Sequence, residues 1–187
     1  MSKGTVGVIV GSLRRESFSK KAALCIGGLL EEFFAVKFLD ISSLAMYNQD
    51  LDNEADMPPE WARFRREVKA LDAVLFVTPE YNRSVPPVLK NALDVASRPM
   101  AENAWKGKPG AVVSVSPGKI GGFGAAQHLR QSAGCLNIYL MQQPEVYLGE
   151  IAASIGADGV PDKRTLDFLR KFAGAFIDWV NKFVAIN

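Results

Sequence analysis

Two kinds of apolar spacing alternate along the chain and divide it into strands and helices. Thr5–Val10, Ala73–Val77 and Ala111–Val115 are short runs, apolar at nearly every position and rich in β-branched residues. Such runs suit the inner strands of a parallel sheet, which are covered on both faces. Val36–Leu39 and Ile138–Met141 predict two further strands. Between the runs, apolar residues recur at steps of three and four, the spacing of one helix face. Phe18, Ala22, Cys25 or Ile26, Leu29 and Phe33 form the first such face, and Trp61, Phe64, Val68 and Leu71 the second. Val88, Leu89, Ala92, Leu93 and Ala96 form the third. A fourth helix runs through His128 and Leu129 to Ala133, and a last one carries Leu166, Leu169, Ala173, Phe176, Val180 and Phe183. Ser17 stands where an N-cap belongs, and Pro58 and Pro59 suit a first helical turn. Ser84 can cap the third helix, with Pro86 and Pro87 in its first turn. Asp40 to Met57, with Tyr47, Asp50, Asp52 and Asn53, has no clear period. A connection that long is functional, an oligomer contact or a surface excursion.

Strands alternating with helices predict an α/β fold, a parallel sheet wound by right-handed crossovers. Five strands in one domain over residues 1–187 fit a flavodoxin-like three-layer sandwich, strand order 2-1-3-4-5, better than a barrel. That order sets the carboxyl ends of strands one, three and four side by side, with loops 11–19, 78–84 and 116–124. Ligands of such sheets bind outside the carboxyl edge where the winding reverses, here between strands one and three.

In the first loop Gly11 permits a sharp exit from the strand, Ser12, Ser17 and Ser19 bring hydroxyls, and Arg14 and Arg15 bring charge. A helix N-terminus adds free N–H groups and the positive end of its dipole, so a phosphate monoester is the natural guest. GxxxxGK[ST] is absent here, and so is GxGxxG after the first strand, which argues against ATP or a dinucleotide held in the usual way. The second loop offers Tyr81 as a flat surface and the backbone of Pro79 to Asn82 to a planar heterocycle. The third has glycines at 118, 121, 122 and 124, which allow close backbone approach. A phosphate grip at one end and backbone groups for a ring at the other describe flavin mononucleotide (FMN). No cysteine or serine nucleophile stands with a base, and no carboxylate cluster suits a metal. The protein then supplies binding and electrostatics while the cofactor supplies electrons.

Each feature also has a plainer reading. A Gly-Ser turn before a capped helix is ordinary connecting structure. His128, the single histidine, suits packing or an interface better than acid catalysis. Trp105 either anchors a loop or fringes a substrate pocket, and Tyr81 can simply cover the sheet edge. Glu80 can pair with a neighbouring subunit or cap the turn instead of acting as a base. Arg98 and Lys119 are candidate counter-charges for an anionic substrate.

Composition changes the picture mainly by exclusion. A net charge of +2, evenly mixed, argues against nucleic acid and membrane surfaces as partners. The basic group Arg63 to Arg66 falls on a helix face expected to be solvated. No stretch has the unbroken apolar length of a bilayer crossing, and polar Ser2-Lys3-Gly4 runs straight into a strand with no signal peptide. The expected location is cytoplasmic. Cys25 and Cys135 fall in apolar helical patterns and are expected as core filler; with one histidine they cannot build a zinc or iron–sulfur site.

GSLRRESFS at 11–19, TPEYNRSVPPVLKNALD at 78–94 and SPGKIGG at 116–122 resemble the signatures of the NADPH-dependent FMN reductases, in particular the chromate and quinone reductase branch. The resemblance covers nearly the whole chain. It implies a flavodoxin-like fold, bound FMN, a dimer or a homotetramer built of dimers, and two-electron reduction of quinones with chromate and other oxidants as related acceptors. Carried over residue by residue, it implies that Ser12, Arg14, Ser17 and Ser19 hold the phosphate, with backbone from Leu13, Arg15 and Phe18. It implies that the isoalloxazine lies against Pro79, Glu80, Tyr81, Asn82 and Arg83, and that Ser116 closes the site. The family often has Asn at the Ser19 position, Gly at the Pro87 position, and Tyr or Gly at the Arg83 position. The last departure bears on which acceptor is favoured.

The expected activity is ping-pong exchange: hydride passes from NADPH or NADH to flavin N5, the nicotinamide leaves, and an oxidant takes its place. No side chain has to move a proton in the hydride step. The rival is a flavodoxin-type electron carrier that is not an enzyme, although such carriers tend to be acidic and this chain is slightly basic. A receiver domain of the same fold would need clustered aspartates where Gly11-Ser12 and Thr78-Pro79 stand.

Overall fold

β1 (Thr5–Val10) lies inside the sheet, with Val6, Val8 and Ile9 wholly buried. The computed structural model describes residues 4–156 and 158–184; the polar start at Ser2 and Lys3 lies outside them. β1 pairs in parallel with β2 (Ala35–Phe38) on one side and β3 (Ala73–Pro79) on the other, and β3 pairs with β4 (Pro109–Val115). The order is β2-β1-β3-β4 followed by a fifth lane, as the spacing predicts.

The fifth lane departs from a single strand. β5 is only Tyr139–Leu140, beside Pro109 and Gly110, and β6 (Val146–Leu148) takes the upper half beside Val113–Val115. The chain leaves the ladder after Met141, whose N–H still donates to Gly110 O at 2.8 Å. Pro144, which has no N–H, lies in the gap, and buried Val146 and Leu148 then resume the pairing.

Alternate side chains of the sheet feed two cores. Val6, Val8, Leu75, Val77 and Val113 face α1 (Phe18–Leu30) and α6 (Lys163–Val184), together with Ile151 from the short α5 (Ile151–Ser154). Ile9, Val74, Phe76 and Val112 face α2 (Pro59–Lys69), α3 (Pro87–Ala96) and α4 (Phe123–Cys135). Trp105 lies wholly within the second core, 5.7 Å from the Phe76 ring, with its indole N–H on Leu93 O at 3.0 Å. It is a core residue and fringes no pocket.

Four further expectations are corrected. α1 stops at Leu30, so Phe33 is exposed and Phe34 is buried instead. Cys135, the last residue of α4, is exposed, while Cys25 is half-buried. Ser84 does not cap α3, whose N-cap is Pro86. Arg65 is not solvated: it is 9 % exposed, donates to Asp52 at 2.7 and 3.0 Å, and gives its Nε–H to Val95 O at 2.8 Å. That pair fastens the 40–57 connection down. Tyr47 N–H donates to Asn91 Oδ1 at 2.8 Å, and the Trp61 indole donates to Ala45 O at 2.9 Å.

Candidate functional site

The three unusual loops meet along one rim because β1, β3 and β4 are adjacent and parallel. Gly11 N–H donates to Val77 O at 2.9 Å, so the first loop departs directly from the ladder. A methyl at Gly11 would stand 3.1 Å from both Leu89 Cδ2 and Thr78 Oγ1, tighter than ordinary contact. Ser12 Oγ accepts from Arg14 N–H at 3.4 Å. Ser17 is the N-cap of α1, its hydroxyl accepting from Lys20 N–H at 3.3 Å. Phe18 and Ser19 lie in the first turn, where amides have no carbonyl behind them. Ser19 is only 2 % exposed. The side chains of Leu13, Arg14 and Arg15 are exposed.

Asn82 and Arg83 shape the second loop, at φ of 50° and 66°. Tyr81 N–H donates to Ser84 O at 3.1 Å and Ser84 N–H to Tyr81 O at 2.9 Å, closing a two-residue turn of the kind that needs positive φ at both centres. Tyr81 is 42 % exposed, as a surface for a ring must be. The Glu80 carboxylate points away, into the start of α4. Its Oε2 accepts from Ala125 N–H at 3.0 Å, and its Oε1 lies 3.4 Å from an Arg83 guanidinium nitrogen. What Glu80 offers along the rim is backbone.

In the third loop Ser114 Oγ donates to Gly121 O at 2.6 Å and Ser116 Oγ accepts from Gly118 N–H at 3.0 Å. β6 supports it from behind, Ser116 N–H donating to Leu148 O at 2.9 Å and Glu150 N–H to Gly118 O at 3.2 Å. Lys119 and Ile120 are exposed on the same loop. Behind it Tyr147 donates to Glu145 at 2.6 Å; burial, then that carboxylate, pushes the phenol up to about 12.

Thus Ser12, Leu13, Arg14, Arg15, Ser17, Phe18, Ser19, Pro79, Glu80, Tyr81, Asn82, Arg83 and Ser116 all lie on the three rim loops. Arg98 does not join them: it follows the far end of α3, its guanidinium 6.0 Å from the Tyr47 ring centre. The sequence reading missed the attachment of the second loop to α4. His128 Nδ1 lies 2.9 Å from Ser84 Oγ, one turn beyond Ala125. Gly124 was the available signal. A methyl there would sit 2.8 Å from Arg83 O and 2.9 Å from Glu80 Oε2.

The family model described as NADPH-dependent FMN reductase matches residues 5–153, which contain all three loops. This chain belongs to that family. The FMN reductase family works with FMN and NAD(P)H, and the rim fits the phosphate end of that cofactor through the open first-turn amides of α1. A quinone reductase of Pseudomonas putida is 52 % identical over 177 residues, 94 % of each chain. A 2-hydroxy-1,4-benzoquinone reductase of a Burkholderia species is 44 % identical, over 94 % of this chain and 95 % of the relative. The solved structure of FerB, a flavoenzyme NAD(P)H:(acceptor) oxidoreductase from Paracoccus denitrificans, superposes with a TM-score of 0.89 at 41 % identity, covering 96 % of this chain and 98 % of that one. An archaeal flavodoxin, at 14 % identity and a TM-score of 0.65, shares the fold alone.

Proposed function

We propose that this FMN reductase family member, as one FMN-binding domain over residues 1–187, transfers two electrons from NADPH or NADH to quinones by ping-pong exchange, with chromate as a further acceptor. The observation that carries this reading is the meeting of three loops at one rim, with the buried Ser17 and Ser19 at the start of α1. FMN, when bound, supplies the two-electron redox chemistry. Ser12, Arg14, Ser17 and Ser19, with the amides of Leu13, Arg15 and Phe18, hold the phosphate; charge-assisted bonds from Arg14 are the strong ones in that set. Pro79 to Arg83 present backbone groups and the Tyr81 ring to the planar end, and Ser116 closes the far side. Donors on that backbone favour negative charge at the ring, as an oxyanion hole does. No side chain here is assigned an acid or base role. The quinone reductases that resemble this chain over almost their whole length support the acceptor class. We place the protein in the cytoplasm as a homo-oligomer, dimer or tetramer.

The test is the visible spectrum of the purified protein followed by steady-state NAD(P)H oxidation with a quinone varied. A yellow protein giving parallel double-reciprocal lines is expected. Bound flavin without turnover gives the electron-carrier reading instead, and intersecting lines remove ping-pong exchange.

A further inference from the structure

The second rim loop is fastened at both ends to a single helix. At its start the Glu80 carboxylate, with a side chain 10 % exposed, accepts from Ala125 N–H at 3.0 Å in the first turn of α4. An anion there meets the positive end of the helix dipole and satisfies a donor that the helix leaves open. At its end Ser84 Oγ lies 2.9 Å from His128 Nδ1, three residues further along α4. Between the two anchors Asn82 and Arg83 hold left-handed backbone conformations, which Asn takes readily in such a turn and Arg only rarely. The loop sits directly on the helix, since a methyl at Gly124 would meet Arg83 O at 2.8 Å and Glu80 Oε2 at 2.9 Å.

We infer that Glu80 is a positioning residue. Its carboxylate clasps the ring-presenting loop to α4 and so fixes the height of the Pro79–Arg83 backbone over the rim. It neither touches substrate nor moves a proton: one oxygen is committed to Ala125 N–H, the other faces Arg83, and little of the side chain is open. The Ser84–His128 contact is the second anchor of the same clasp. This inference rests on the FMN reading for its consequence at the cofactor, and on the fold alone for the clasp itself.

The experiment compares wild type with Glu80→Ala, Glu80→Gln and Gly124→Ala. Hydrogen exchange on the cofactor-free protein reads the clasp directly. Glu80→Ala and Gly124→Ala should speed exchange at Ala125 and at Tyr81 and Ser84. Titration of each apoprotein with FMN and with riboflavin, which has no phosphate, reads the consequence. Losing a hydrogen bond to a charged group predicts about tenfold weaker binding of both flavins in Glu80→Ala. The bound ring should also show lower fluorescence anisotropy, with the competing effect of inorganic phosphate unchanged. Glu80→Gln keeps an acceptor for Ala125 N–H and should recover most of that loss, with no new limb in the pH profile of turnover. Unchanged exchange in Glu80→Ala overturns the clasp. A Glu80→Gln variant as impaired as Glu80→Ala, with an altered pH profile, overturns the positioning role in favour of acid–base work. A wild type that takes up no FMN removes the FMN reading, and the exchange data then decide the clasp by themselves.

Discussion

Asp52 and Arg65 show how much one pair of residues can hold. Both side chains are 10 % exposed, and Tyr47 adds a third hydrogen bond to the carboxylate at 3.2 Å. Removing one partner of such a pair leaves the other charge buried, which costs about 3–5 kcal/mol. Asp52→Ala should therefore unfold at markedly lower urea concentration, and a midpoint within experimental error of wild type would deny the pair that role. The Arg65 hydrogen bonds hold the Asp52 carboxyl below its ordinary range. A carboxyl with a folded value beneath its unfolded one, about 3.9 for Asp, stabilises the fold above that pH and loses the contribution as pH falls below it. Urea midpoints should drop from pH 5 towards pH 3 (roughly the window set by that value), and Asp52→Ala should drop less. On the rim, Arg14→Ala should weaken FMN binding by about 1.5–3 kcal/mol through loss of a charge-assisted contact. Equal affinities in a titration would take Arg14 out of the site.

At the scale of elements, the sequence exposes what depends on neighbours along the chain. β1, β3 and β4 are legible as apolar runs, the N-cap at Ser17 and the prolines opening α2 behave as their chemistry demands, and the rim loops stand out as abrupt polar switches. What stays hidden depends on distant partners. The spacing of Arg63 to Arg66 says nothing of Asp52 thirteen residues earlier in sequence. The cap-like Ser84 meets His128 44 residues away, and Glu80 meets Ala125 45 residues away. The split of the fifth lane escapes for a different reason. Val146–Leu148 is too short, and too close to Pro144, for a period to show. That element nonetheless carries the third loop. A methyl at Gly149 would run into the Lys119 carbonyl, so Gly149→Ala should displace Ser116 and Gly118. FMN affinity should fall by several-fold, on the order of 1 kcal/mol, while the lower half of the sheet stays folded by circular dichroism. Wild-type affinity would show that the loop tolerates the shift.

For the whole molecule, the rim unites elements from both sides of the sheet. If an anion is what the start of α1 receives, high phosphate or sulfate should compete with FMN for the apoprotein. Indifference to both would count against that loop. FMN at a hundredfold excess over its dissociation constant should stabilise the protein by about 2.7 kcal/mol, read as a rise in melting temperature. The two ends of the proposed guest rest on different layers: the phosphate loop leads into α1, packed on one face, and the ring loop is clasped to α4, packed on the other. A small molecule spanning that rim would tie the two helical layers together at the carboxyl edge of the sheet as well as through the strands they share.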